Sequence, residues 1–323
     1  MTDFKNKIIE ELEVLRRVSV TEAAGVFKER SYAAVIKTVQ GLPSIRTIED
    51  IPQKGIGTEI RAKIAKIIEK GSLDISPSIR AAAVALDVFQ NIYGVGPKKS
   101  QDLVAAGYTT IAGLREAVAV DPKILNKNQH IGLRYYEQLL TRIPRQEMDE
   151  HAALLMSVKP GSLEGVIVGS YRRGAANSGD IDMLIRTANA DVDAGVALAD
   201  FVTALRVRGY ISEVLAQGDH KCLAICRLPD SPDRQGRRLD LLVTPPLEFP
   251  YAVFYFTGCD TFNVAVRSHA LSRGFTLNEH GLTQVSSGLK VSGVKSEQDL
   301  FKLLKLRWVE PVDRTGPAAV VPL

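Results

Sequence analysis

Cysteine is scarce: Cys222, Cys226 and Cys259 are the only three in 323 residues. An odd, sparse set offers no disulfide framework and points to a reducing, intracellular compartment. Long apolar runs are missing too. Stretches such as Ala81 to Leu86 fall far short of the roughly 20 residues that span a bilayer. The start, Met1 to Glu13, holds Asp3, Lys5, Lys7, Glu10, Glu11 and Glu13 where a secretory signal would be apolar. A soluble protein with no membrane partner is expected. Charge of one sign is also lacking: 41 Lys and Arg face 37 Asp and Glu, and a net +4 is too small to argue for a polyanion partner. With 45% hydrophobic and 24% charged residues, 25 Gly and 15 Pro, collagen-like and low-complexity classes drop out, and the length suits two domains or one domain with appendages.

Residues 1 to 140 read as mostly helical. Ile8 to Arg17, Thr21 to Lys28, Ser31 to Gln40 and Thr58 to Lys70 keep apolar residues three or four apart. Beyond about residue 150 the pattern changes to short apolar runs bounded by Gly, Pro and Asp. Val166 to Val168, Ile181 to Ile185, Cys222 to Cys226 and Leu239 to Val243 read as strands. A helical half followed by a mixed α/β half is expected. One element repeats: Gly55-Ile56-Gly57 and Gly94-Val95-Gly96 each follow an apolar helix-like stretch and precede another helix, opened by Thr58 or Pro97. The expected unit is a helix-hairpin-helix. Its Gly-x-Gly turn brings backbone amides close to a phosphate, which holds nucleic acid without reading sequence.

The densest chemistry lies in Gly169-Ser170-Tyr171-Arg172-Arg173-Gly174, followed by Ser178-Gly179-Asp180-Ile181-Asp182. Asp180 and Asp182 are two apart on a strand, so both carboxylates leave the same face. A shared divalent cation is the simplest way to hold them together, and Mg²⁺ suits oxygen ligands and phosphates. Gly169 and Ser170 can reach a phosphate, and Arg173 can neutralise one. A two-metal site needs a third acid. Asp240, in the strand-like Arg237 to Val243, is the best candidate; Asp219, Asp230 and Asp233 sit in polar, loop-like surroundings.

These segments, with Tyr255-Phe256-Thr257-Gly258 and Phe275-Thr276-Leu277-Asn278-Glu279, resemble the X family of DNA polymerases, and the polymerase beta type most closely. The resemblance covers nearly the whole chain, including Arg142-Ile143-Pro144-Arg145. It implies a multidomain α and α/β protein: a helical N-terminal lyase-like domain with helix-hairpin-helix motifs, then a polymerase domain with a nucleotidyltransferase-type palm sheet. The implied divisions are 1–78 with the first hairpin, 79–140 with the second, a catalytic palm at 141–250, and 251–323 for the nascent base pair and the C-terminal tail.

Carried onto matching positions, the resemblance implies that Asp180 and Asp182 bind two Mg²⁺ ions, with Mn²⁺ able to substitute. Asp240 would bind the catalytic ion and orient or deprotonate the primer 3′-hydroxyl, and Arg238 would pair with the middle aspartate. Ser170, Arg173, Ser178 and Gly179 match triphosphate contacts, alongside Gly169 and the more distant Arg145. Tyr255 and Phe256 would exclude a 2′-hydroxyl, with Gly258, Asp260 and Asn263 beside the incoming base. Arg267 would probe the template, helped by Glu279. DNA contacts fall on Lys28, Tyr32, Lys221 and the hairpin glycines Gly55, Gly57, Gly94 and Gly96. Gln90, Ile92 and Val95 match carbonyl donors for a monovalent cation, Na⁺ or K⁺.

A second activity is implied in the first domain. Ile60, Ile64, Ile67 and Ile68 make an apolar stripe, with Lys63, Lys66 and Lys70 largely off it. A lysine amine can form a Schiff base with an abasic sugar before β-elimination. The resemblance makes Lys63 that nucleophile, with Lys28 and Tyr32 near the phosphate and sugar. Glu59 stands where polymerase beta has a phosphate-binding lysine, so weakened lyase activity is expected.

The expected function is a DNA-directed, gap-filling polymerase of the base-excision-repair type, using dNTPs on gapped or nicked duplex DNA as a monomer. Its expected address is the nucleus in a eukaryote, otherwise viral or organellar, and no extra interaction domain is expected. Two rivals are template-independent terminal transfer, disfavoured by the short Leu228 to Arg237 segment, and a scaffold that binds gapped DNA with weak catalysis.

Overall fold

The computed structural model describes residues 2–19, 25–188, 192–229 and 235–323. The first half of the Thr21 to Lys28 stretch, Asp230 and Asp233 therefore lie outside the described residues. The chain divides into two compact units, Met1–Tyr136 and Glu137–Leu323.

The first unit is helical: α1 (Lys5–Ser19), α2 (Gly25–Gly41), α3 (Thr58–Lys70), α4 (Pro77–Gln90), α5 (Pro97–Ala105), α6 (Ile111–Val120) and α7 (Lys127–Arg134). A short α8 (Tyr136–Leu140) begins at its edge. Local chemistry sets these boundaries. Pro77 opens α4 behind Ser76, whose hydroxyl accepts the Ile79 N–H, and Pro97 opens α5; in both, the missing proline N–H falls where no helical acceptor exists. Gly71, at φ 79°, ends α3 in the left-handed region. Among the described residues the unit has one apolar core around Ile8, Val39, Ile64 and Ile67 and another around Phe89, Leu103 and Leu114. The sequence pattern anticipated α3 residue for residue. It did not anticipate what precedes the first Gly-x-Gly turn, a three-residue 3₁₀ turn at Ile48–Asp50 in place of a helix. The second turn does link two helices, α4 and α5.

The second unit is built on a five-stranded sheet. In chain order come β1 (Ile143–Pro144), α9 (Arg145–Val158), β2 (Leu163–Ile167), α10 (Gly169–Arg172), β3 (Asn177–Ser178), β4 (Ile181–Thr187) and α11 (Ala194–Val207). Then follow β5 (Ile211–Gln217), β6 (Lys221–Cys226), β7 (Arg237–Val243), α12 (Phe249–Thr257), α13 (Asp260–Ser272), β8 (Phe275–Asn278), β9 (Gly281–Gln284) and α14 (Glu297–Leu303). The large sheet runs β2-β4-β7-β6-β5, antiparallel except for the parallel β4–β7 pair. All four strands expected from the sequence are present. β5 went unread because Ser212 and Glu213 interrupt its apolar alternation.

Period-two alternation decides what each face carries. Ile181, Met183 and Ile185 of β4, and Leu239, Leu241 and Val243 of β7, enter the core with Leu198, Phe201 and Leu205 of α11. The intervening residues face the other way, where Leu184 packs with Ala252 and Val253 of α12. Asp182 and Asp240 stand on that second face. A buried, bidentate pair fixes the start of β7: Arg237 donates to both carboxylate oxygens of Glu147 at 2.8 and 2.9 Å and to the Thr141 carbonyl at 2.8 Å.

The C-terminal segment has its own core around Phe254, Phe262 and Phe301. Arg314, 1% exposed, lies within 6 Å of four aromatic rings there and bonds Glu297 at 2.7 Å. Glu297 also receives Arg172 at 2.6 Å. Removing one partner from a buried ion pair leaves an uncompensated charge, at about 3–5 kcal/mol. Glu297→Ala should lower unfolding stability by that order in chemical denaturation, and a change below about 1 kcal/mol would show that the pair is dispensable.

Candidate active site

Parallel pairing of β4 with β7 places Ile181 opposite Leu239 and Asp182 opposite Asp240. Two carboxylates thus sit side by side on neighbouring strands of one sheet, half-buried. Burial, then the neighbouring Asp240 charge, pushes the Asp182 carboxyl up to about 6, against a smaller pull from Lys221. Asp240 is likewise raised by burial, opposed by Arg238 and Lys221. One oxygen of Asp240, Oδ1, is buried without a hydrogen-bond partner.

Asp180 sits just before β4. Arg238 is two residues ahead of Asp240 on β7, and the same register brings it to Asp180, with which its Nη2 pairs. Its Nε is 3.5 Å from Asp240 Oδ1. This corrects the expectation that Arg238 pairs with the middle aspartate: the strand register gives Asp182 an aspartate neighbour and gives Asp180 the arginine. Among the described residues no three His, Cys, Asp or Glu side chains close into a metal cage. The arrangement is an open pair, Asp182 and Asp240, with Asp180 held beside it by a guanidinium. A desolvated carboxylate pair with an unpartnered oxygen fits a divalent cation that takes its other ligands from substrate phosphate and water.

Gly169 is required at this point. Its φ is 63°, and a Cβ would lie 2.9 Å from Asp182 Oδ2, so only glycine lets the backbone pass the carboxylate. From there a cleft of about 550 Å³ opens. Gly169, Arg173, Asp180, Asp182, Tyr255, Phe256, Gly258, Asp260, Asn263 and Arg267 line it, together with Val264. The residues singled out near Gly169 and those near Tyr255, far apart in sequence, share this cavity. Tyr255 and Phe256 meet edge to face at 5.3 Å. Asn263 donates from Nδ2 to the Tyr255 carbonyl at 2.7 Å, and its buried Oδ1 has no partner. Arg173 donates to the Thr257 carbonyl at 2.5 Å.

Other expected residues lie outside the lining. Ser170 donates to Ser178 Oγ at 3.0 Å, and Gly179 adjoins that pair. Arg145 stacks on Tyr171 at 4.4 Å and donates to the Tyr171 carbonyl. Lys221 opens β6 and influences the aspartates through its charge. Glu279 lies 3.9 Å from His280 and makes no ion pair with Arg267 among the described residues. Sequence reading missed Arg172. Its Nη1 donates to Thr257 Oγ1 at 2.6 Å and its guanidinium binds Glu297; the Arg-Arg doublet was the only signal, and Glu297 is too distant in sequence to have been matched with it.

A second cavity, of about 540 Å³, belongs to the first unit. Lys28, Arg30 and Tyr32 of α2 line it together with Gly55, Gly57 and Glu59. Lys63 reaches its wall: Nζ donates to Tyr32 Oη at 2.8 Å and to Glu59 Oε1 at 2.5 Å. In the second hairpin turn, Val95 N–H donates to the Ile92 carbonyl at 2.9 Å, Gly94 has φ 80°, and Gln90 closes α4.

The family model of the DNA polymerase beta palm matches residues 142–246, that of the DNA polymerase beta thumb residues 252–315, and that of the fingers domain of DNA polymerase lambda residues 87–140. A DNA polymerase lambda of Rattus norvegicus is 31% identical over 335 residues, 97% of this chain and 56% of that protein. One of Arabidopsis thaliana is 30% identical over 319 residues, 88% of this chain and 57% of that protein. The chain thus spans a little over half the length of these curated relatives.

The raised carboxyls carry a stability sign. An acid whose folded pKa exceeds its unfolded value costs stability as pH rises through the window, here from 3.8 to about 6. Asp182→Asn should therefore stabilise the metal-free protein at pH 8, by roughly 3 kcal/mol, and the gain should vanish below about pH 4. Thermal melts across that pH range check it; an equal gain at both ends would remove the titration as its cause.

Proposed function

The chain belongs to the X family of DNA polymerases, related to polymerase beta, and on that premise we propose that it is a DNA-directed, gap-filling repair polymerase. The observation that carries the reading is the strand register that sets Asp240 beside Asp182, with Asp182 itself lining one cleft with Asp180, Arg173, Tyr255, Asn263 and Arg267. Asp182 and Asp240 would hold divalent cations, Mg²⁺ first and Mn²⁺ as a substitute, with Asp180 joining them once released from Arg238. Such ions supply charge neutralisation on the reacting phosphate and acidify the primer hydroxyl.

The chain's own side chains would do the rest. Gly169, Ser170, Ser178, Gly179 and Arg173 would cradle the triphosphate, with Arg145 contributing charge from behind Tyr171. Asp240, whose Oδ1 accepts no hydrogen bond, would accept one from the primer 3′-hydroxyl and take up its proton. Tyr255 and Phe256 would form the wall against the sugar that a 2′-hydroxyl cannot pass. Asn263, whose buried Oδ1 accepts no hydrogen bond, would sit with Gly258 and Asp260 beside the base, and Arg267 beside the template. Lys221 and Arg238 would add positive charge near the DNA.

The proposed divisions remain 1–78, 79–140, 141–250 and 251–323. The cavity beside Lys63, with Lys28 and Arg30 able to hold a 5′-phosphate, supports 5′-deoxyribose phosphate lyase activity as a second reading. Carbonyls of Gln90, Ile92 and Val95 would bind a monovalent cation, and Gly55, Gly57, Gly94 and Gly96 would let the backbone approach DNA phosphates. The protein would act as a monomer in a reducing compartment, the nucleus if the source is a eukaryote. Among the described residues no helix is long and apolar enough to cross a membrane.

On a duplex with a one-nucleotide gap, addition of one dNTP should require the template base and a divalent cation. Asp240→Ala should cut the rate by at least about 10²-fold, the scale of one lost transition-state contact. Wild-type rates in that variant would overturn the mechanism, and equal extension of single-stranded and gapped primers would favour terminal transfer.

A further inference from the structure

An ammonium has no lone pair, so Lys63 cannot attack a carbonyl until it gives up a proton. Two groups touch its Nζ. Tyr32 Oη, 2.8 Å away, belongs to a buried side chain. Glu59 Oε1, 2.5 Å away, belongs to a side chain 78% exposed to solvent. The two residues are one helical turn apart on α3, so the contact is built into the helix. Glu59 is also the only carboxylate lining the cavity among the described residues. The other charged groups facing it from α2 are Lys28 and Arg30. Neighbouring cations are engaged elsewhere: Arg61 donates to the Ile48 and Ile51 carbonyls, and Lys66 pairs with Asp74 at 2.7 Å.

We propose that Glu59 is the acid–base partner of Lys63, carrying the protons of Schiff-base formation with an abasic-sugar aldehyde. The proposal rests on the lyase reading given above and names a residue for it. Glu59 carboxylate takes one proton from the Lys63 ammonium. The freed nitrogen lone pair attacks C1′, forming the C–N bond, while the carbonyl π electrons move to oxygen. That oxygen takes up the second nitrogen proton through solvent and becomes the carbinolamine hydroxyl. Glu59, now a carboxylic acid, returns its proton to this hydroxyl as the C–O bond breaks. Water leaves and the protonated imine remains, so Glu59 ends as it began.

The electrostatics of the resting pair make this help necessary. Burial favours the neutral amine, but the hydrogen bonds to Glu59 and Tyr32 outweigh it and hold Lys63 above the ordinary lysine value. Glu59 is held below its ordinary value by the same hydrogen bond. At neutral pH unassisted loss of the proton to water is therefore slow, and an acceptor already in contact shortens the route.

The test is borohydride trapping of the full-length protein on duplex DNA with a 5′-deoxyribose phosphate, from pH 6 to 9, using wild type, Glu59→Gln, Glu59→Asp and Lys63→Ala. Glu59→Gln keeps the hydrogen bond and loses the proton acceptor. Its trapping rate at pH 7 should fall roughly 10²-fold, the range of general acid–base catalysis, and should then climb steadily with pH. Glu59→Asp should recover most of the rate, and melting temperatures report folding independently. Trapping by Glu59→Gln at or above the wild-type rate across the pH range overturns the proposal and leaves the lyase reading standing. No trapping by wild type, or full trapping by Lys63→Ala, overturns that reading and the proposal with it.

Discussion

Two negative charges forced together by strand register are the constraint around which the second unit is arranged. Backbone hydrogen bonds between β4 and β7 leave no choice: with Ile181 opposite Leu239, Asp182 must stand beside Asp240. A one-residue slip would relieve the repulsion and would also turn every core residue of one strand outward. The apolar alternation of both strands, with Ile181, Met183, Leu239 and Leu241 fully buried, locks the register. The folding core thus stabilises an arrangement that the carboxylates alone would resist.

The surrounding contacts manage that repulsion. Arg238 covers Asp180 and approaches Asp240, and Lys221 acts on both inner aspartates through its charge. Further out, Arg172 and Arg173 reach from the α10 region to the end of α12, and Glu297 joins Arg172 to Arg314. The α10 segment and the aromatic wall of the cleft are therefore joined by guanidinium bridges within one unit, so the width of the cleft is set by side chains that also hold the fold.

Local patterns made much of this legible. Strand alternation located β4 and β7, the glycine-flanked turn before Pro97 located the start of α5, and the cluster of Gly, Ser, Arg and Asp between residues 169 and 182 supplies Gly169, Arg173, Asp180 and Asp182 to one cleft. Pairing between strands distant in sequence was harder to read. Nothing in Arg237 to Val243 states which of its residues faces Asp180, and so the partner of Arg238 was misassigned. Arg314 was invisible for a related reason: its role depends on four rings and one glutamate brought together only by the tertiary fold. The 3₁₀ turn ahead of Gly55 is held by local side-chain bonds that apolar spacing does not report: Asp50 Oδ2 accepts the Arg46 and Thr47 N–H groups at 2.7 and 2.9 Å.

Thr257 is gripped twice, through its hydroxyl by Arg172 and through its carbonyl by Arg173. Immediately beyond it the chain turns at Gly258, φ 68°, and enters α13. In mechanical terms Thr257 is a pinned fulcrum and α13 a lever arm of 13 residues, about 20 Å long. Any rotation about the pin displaces a side chain in proportion to its distance from it. Asn263, tied back to the Tyr255 carbonyl, travels least, and Arg267, one turn further out, travels more. The same small angle thus leaves Asn263 almost in place while it resets the reach of Arg267 into the cleft.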